Sequence, residues 1–168
     1  MHGPRLRSVW RFRYLGRFNG YCRPLKAMQE GLPNIWHDEG EEFAIKVLFN
    51  ETLSVPANYY IGLDNRGSLA EDDTLPPTGE PTGTGYARQA VASDDTDFTA
   101  SQVAGNWQTK TKEVTFTAGA GGWTQVSNMF ICTTSDDTGK LLCSVPMSAS
   151  YTLADGESLK VDMTITCK

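Results

Sequence analysis

Residues 85–132 read GYARQAVASDDTDFTASQVAGNWQTKTKEVTFTAGAGGWTQVSNMFIC, and this stretch decides the fold class. Short runs rich in Val, Thr, Phe, Tyr and Trp alternate with Gly, Asp, Asn and Ser. β-branched and aromatic side chains suit a pleated, half-buried surface, and the small polar residues between them suit tight turns, so antiparallel strands are expected. Working outward, the pattern predicts strands near residues 86–92, 97–101, 105–109, 112–117, 124–133, 140–146 and 158–166, with an earlier one at 58–64. The last is the cleanest. Leu159, Val161, Met163 and Ile165 alternate with Lys160, Asp162 and Thr164, which assigns the first set to a core and the second to solvent. Asp155-Gly156 supplies the turn before it. Short strands without helical crossovers predict a mainly β fold: an antiparallel β-sandwich, Ig-like or jelly-roll-like, with one N-terminal helix. No internal repeat points to a propeller or solenoid.

The helix is expected over residues 34–50. Asn34 follows Pro33 as an N-cap, and acids at 38, 39, 41 and 42 suit a helix N-terminal half. Trp36, Gly40, Phe43 and Val47 recur at spacings of 4, 3 and 4, one helical face. Ile45, Leu48 and Phe49 widen the apolar surface, so the helix must be covered by the domain's own sheet or by another subunit. Residues 71–85, EDDTLPPTGEPTGTG, carry Pro76, Pro77 and Pro81, which rule out regular structure. A loop this long is functional or is ordered by a neighbour. Trp36, Phe43, Val47, Pro76, Pro77 and Pro81 are therefore candidate subunit contacts.

The chain has 168 residues and a net charge of −5, a length that fits one domain with an appendage. Residues 1–27 hold seven of the basic residues and no acid, and interleave them with Trp10, Phe12, Tyr14, Phe18 and Tyr21. That leaves eight basic residues against all twenty acidic ones in 28–168, a net of −12. The expected organisation is a basic, aromatic-rich arm over 1–27, disordered in isolation and dispensable for folding, followed by a single sandwich domain over 28–168. The abrupt change at Met28 also marks an alternative start of translation. An acidic body repels nucleic acid and anionic membrane, and no apolar run reaches the ~18 residues of a membrane span.

Chemistry-bearing residues do not cluster. Cys22, Cys132, Cys143 and Cys167 show no CxxC spacing, which argues against zinc. A hairpin turn at 136–139 would set Cys132 against Cys143, with buried thiols favoured over a bridge. The histidines are His2 and His37, the second expected at the surface beside Asp38 and Glu39. Asp94, Asp95 and Asp97, and the Asp136-Asp137 pair, lack the twelve-residue calcium-loop pattern. No nucleophile motif or phosphate loop occurs, so no catalytic residue, cofactor or metal is predicted. Trp107 and Trp123 each sit beside a turn, where an indole can stack on sugar or fill the core.

Three segments carry a resemblance: MQEGLPNIWHDEGEEFAIKVLF at 28–49, YYIGLDN at 59–65 and EPTGTGYARQAV at 80–91. In this order they resemble a family of small structural proteins encoded by tailed viruses of bacteria and archaea. The resemblance spans about residues 28–168. It implies a non-enzymatic virion component of the tail, the collar or the head surface, which associates with itself as a ring or trimer and with other virion proteins. A carbohydrate- or receptor-binding module is the alternative reading of a β-sandwich that carries two turn-flanking tryptophans. A carboxylate-pair hydrolase is the third.

Overall fold

The computed structural model describes residues 7–18, 21–25, 35–50 and 52–166. Two antiparallel sheets stack face to face. The first contains β1 (Arg7–Phe18), β2 (Tyr21–Leu25), β6 (Phe98–Val103), β7 (Asn106–Thr111), β8 (Val114–Thr117) and β11 (Ser158–Thr166). Its order is β2-β1-β11-β7-β6, with β8 also on the β11 edge. The second contains β3 (Ile35–Trp36), β4 (Asn58–Asp64), β5 (Gln89–Ala92), β9 (Trp123–Cys132) and β10 (Leu141–Leu153), in the order β3-β10-β9-β4-β5. The helix α1 (Asp38–Ile45) continues into a wider turn of π type, Lys46–Asn50. The mainly β sandwich with one leading helix is thus observed.

Period-two alternation builds the core between the sheets. Leu159, Val161 and Met163 of β11 face Ile61, Leu63, Met129 and Ile131 of β4 and β9, with Val114 and Phe116 of β8 beside them. From Met129 to Cys132, odd and even positions of β9 then separate. Phe130 and Cys132 join Leu69, Leu75 and Leu141 in a second cluster on the outer face of the second sheet. That sheet is therefore covered on both faces, by the first sheet within and by Leu69 and Leu75 of the loop that follows β4 without. This explains why β9 is buried continuously from Val126 to Cys132.

Several expectations change. Residues 35–36 are a strand, not helix: Trp36 pairs with Cys143 and Ile35 with Ser144 of β10. The helix starts at Asp38, with His37 at its N-cap position making no side-chain cap bond; the expected cap, Asn34, lies outside the described residues. His37 is buried, not at the surface. Asp162 and Thr164, assigned to solvent by alternation, are also buried, and Lys110 of the neighbouring β7 meets Asp162 at 3.1 Å. Cys132 pairs with Leu141 and Cys143 with Ile131, across a register shift. The two thiols belong to clusters on opposite faces of the sheet, so no bridge joins them. The expected separate arm supplies β1, which pairs antiparallel with β11 from Arg7↔Thr166 to Leu15↔Ser158.

Candidate functional site

The proline-rich loop is held by its own chain. At the end of β4 the fully buried Asp64 accepts hydrogen bonds from the Arg66 backbone N–H at 2.8 Å, from the Arg66 guanidinium at 3.1 and 3.2 Å, and from Gly79 N–H at 3.2 Å. Arg66 also reaches Asp73 at 3.2 Å. Further on, Glu80 accepts from the Tyr86 hydroxyl at 2.6 Å and from Arg88 Nε at 2.9 Å. Arg88 extends to Asp137 at 2.8 Å and lies 5.6 Å above the Phe130 ring. Burial, and then the Glu80 charge, push the Tyr86 hydroxyl far above its ordinary range. A buried cation needs both its anion and its remaining hydrogen bonds satisfied, and this network meets that need. Pro77 and Pro81 are consequently buried within the chain, and only Pro76 of the three expected contact prolines is exposed.

The helix lies on β10 through Gly40, which is buried against Leu142. Glu39 fixes it, accepting from Leu141 N–H at 2.9 Å and Leu75 N–H at 3.2 Å. His37 Nε2 is 2.9 Å from Ser144 Oγ. Among the described residues its Nδ1 completes no hydrogen bond. Burial lowers the His37 pKa, and the nearby Glu71 and Ala70 carbonyls with Asp73 and Glu39 only partly oppose it. Phe43 packs edge-on to Tyr59, which packs edge-on to Phe98 of the other sheet, at 6.3 and 5.6 Å between centroids. Trp36, Phe43 and Val47, the expected contact face, are thus half-buried, and the first two pack against the domain's own core.

What the helix leaves outside is its other apolar flank. Ile45, Leu48, Phe49 and Val55 are 56%, 69%, 79% and 53% exposed. Beside them Glu42 meets Lys140 at 3.0 Å and also Lys46, and these lysines hold its carboxyl below the ordinary range. Ile45, Leu48 and Phe49 were legible as surplus apolar positions beyond one helical stripe. Val55 had no signal of its own.

The two tryptophans separate. Trp123 is 3% exposed and donates its Nε1 hydrogen to the Thr84 carbonyl at 3.1 Å. It is a core residue and not a stacking platform. Trp107 is 62% exposed, opposite Gln102 in the β6–β7 hairpin. That hairpin turns through Ala104 and Gly105, both at positive φ. Among the described residues no group of His, Cys, Asp and Glu side chains could hold a metal ion, and no helix is long and apolar enough to cross a membrane.

The fold thus defines a small β-sandwich domain with an exposed apolar helix flank and an exposed indole. The family described as Podophage GP4 fiber I protein gp80 matches residues 39–165, and the chain belongs to it. It is a structural component of a phage virion. No curated protein matches the chain.

Proposed function

We propose that the chain is a fibre subunit that associates with itself, as a ring or trimer, and with other virion proteins, without catalysis. The observation that carries the reading is the exposed flank of Ile45, Leu48 and Phe49. Each such side chain gains about 1.5–3 kcal/mol when fully buried, and a single chain leaves that gain unrealised. The lysine–glutamate rim around Glu42 gives the patch the polar border of a subunit contact. The tail, the collar and the head surface all remain consistent locations. The −12 charge of residues 28–168 disfavours nucleic acid and anionic membrane as partners.

Sedimentation of the full chain tests this. The wild type is expected to sediment as a defined oligomer. Leu48→Glu combined with Phe49→Glu is expected to give a folded monomer whose melting temperature does not depend on concentration and lies below that of the wild-type oligomer, because neither side chain is buried in the single chain while association stabilises the folded state. A wild type that stays monomeric at high concentration overturns the reading.

Trp107 supports a second reading, a glycan- or receptor-binding face. Its indole is exposed on the face it shares with its cross-strand partner Gln102, the pairing of a flat apolar surface with a hydrogen-bonding amide that sugars bind. Host-surface glycans should quench tryptophan fluorescence in the wild type and not in Trp107→Ala. Absence of quenching in the wild type removes this reading.

A further inference from the structure

The edge of β11 carries more information than the sandwich requires. On one side β11 pairs with β8 and β7, and on the other with β1 alone, over nine residue pairs. The family match begins at residue 39, so β1 lies outside the matched fold. Without β1, the matched fold presents this edge as a row of unpaired backbone N–H and C=O groups, which accept an added strand.

The register says what kind of strand fits. Trp10, Phe12 and Tyr14 fall opposite Met163, Val161 and Leu159, the inward set of β11, and Arg11 falls opposite Asp162. Asp162 is 7% exposed. Its Oδ2 meets Lys110 at 3.1 Å, while its buried Oδ1 has no hydrogen-bond partner among the described residues. A buried carboxylate oxygen in that state calls for a second cationic donor. Arg13 falls opposite Lys160, whose charge is already met by Glu113 at 2.9 Å. The edge therefore suits a strand that alternates aromatic residues with arginine, as residues 7–18 do.

We infer that in the assembled particle the β11 edge of one copy is filled by the Arg7–Phe18 strand of a second copy. The inference deepens the self-association reading above and rests on it. The same nine pairs form whether the strand comes from the same chain or from the next, so exchange adds a link between copies without loss of contacts. Residues 26–34 separate β2 from β3, enough chain to span roughly 30 Å at about 3.3 Å per residue. Head-to-tail donation from copy to copy closes a ring and leaves no β11 edge open.

The test uses the full chain with Cys22→Ser and Cys167→Ser, which removes thiols outside the buried pair. Val9→Cys and Thr164→Cys, opposite each other in the register, are placed in separately tagged copies, co-refolded and oxidised. A mixed-tag disulfide dimer is expected on a non-reducing denaturing gel. The same two substitutions in one chain are expected to give a covalent ladder. An out-of-register pair, Val9→Cys with Lys160→Cys, is expected to give neither. If the one-chain variant yields only a monomer with an internal disulfide, and sedimentation still shows an oligomer, exchange is overturned and self-association stands. If sedimentation shows a monomer, the self-association reading itself fails. If no disulfide forms in an oligomer, the β11 edge is not the contact.

Discussion

Replacing Gly40 with alanine sets two effects of opposite sign against each other. In a solvent-exposed helix the change stabilises by up to about 1 kcal/mol, since alanine is the better helix former. Here a Cβ at position 40 would lie 2.8 Å from the carbonyl carbon and Cα of Leu142, and closer still to its oxygen. Those are backbone atoms of β10, which is held between β3 and β9, so the strand cannot move aside as a side chain could. The helix must withdraw by on the order of 1 Å to restore van der Waals contact. Overpacking of this kind costs about 1–3 kcal/mol. Withdrawal also stretches the Glu39 bonds to Leu141 N–H and Leu75 N–H, and hydrogen bonds to a charged group are worth about 1.5–3 kcal/mol. The net expectation is a loss of about 2–4 kcal/mol after the helix-propensity gain is subtracted. Urea melts followed by far-UV circular dichroism measure it, with Glu41→Ala as the control. Glu41 is exposed on the same helix, so its replacement should stay within about 0.5 kcal/mol. A Gly40→Ala protein as stable as the wild type, or more so, would refute the seating of α1 on β10.

Four further outcomes are expected. His37 is buried with its pKa lowered below the ordinary 6.5, so the unfolded chain binds its proton first as pH falls. Stability contributed by neutral His37 is complete above 6.5 and is lost progressively below it; denaturant midpoints between pH 7 and 5 should decline in the wild type and stay flatter in His37→Gln. Val161→Asp, at a position with no exposure, should cost about 3–5 kcal/mol by placing an unpaired charge in the core. Lys160→Asp on the other face, which exchanges a half-exposed pair with Glu113 for a like-charge contact, should cost no more than about 1 kcal/mol by the same melts. Arg88→Ala should cost about 3–5 kcal/mol, because Glu80 is left without its cation, and limited proteolysis should then cut within residues 65–88.

The strands were legible because alternation is a local property. Asn58–Asp64 and Ser158–Thr166 were readable to the residue, since each carries its period-two pattern between clear turn signals. The helix was legible in type but not at its start, because Trp36 fits the helical spacing equally well while pairing as a strand with Cys143. The N-terminal strand had a readable pattern too: Trp10, Phe12 and Tyr14 alternate with Arg11 and Arg13. Its uniform positive charge hides that alternation, and only the assembled sheet sets Arg11 at the register position opposite the acidic, buried Asp162. Of the interaction surfaces, the surplus apolar residues Ile45, Leu48 and Phe49 were visible in the sequence. Which helix flank turns outward was decided by the fit of Gly40 against Leu142. Trp107 and Trp123 were equivalent in sequence, each beside a turn. Tertiary structure separated them, because Trp123 meets Thr84 and Tyr86 from the returning loop while the hairpin leaves Trp107 without a covering layer. A sequence determines which residues share a strand face, since that depends on neighbours one and two positions away. What covers that face depends on segments many residues distant, and only the assembled chain brings them together.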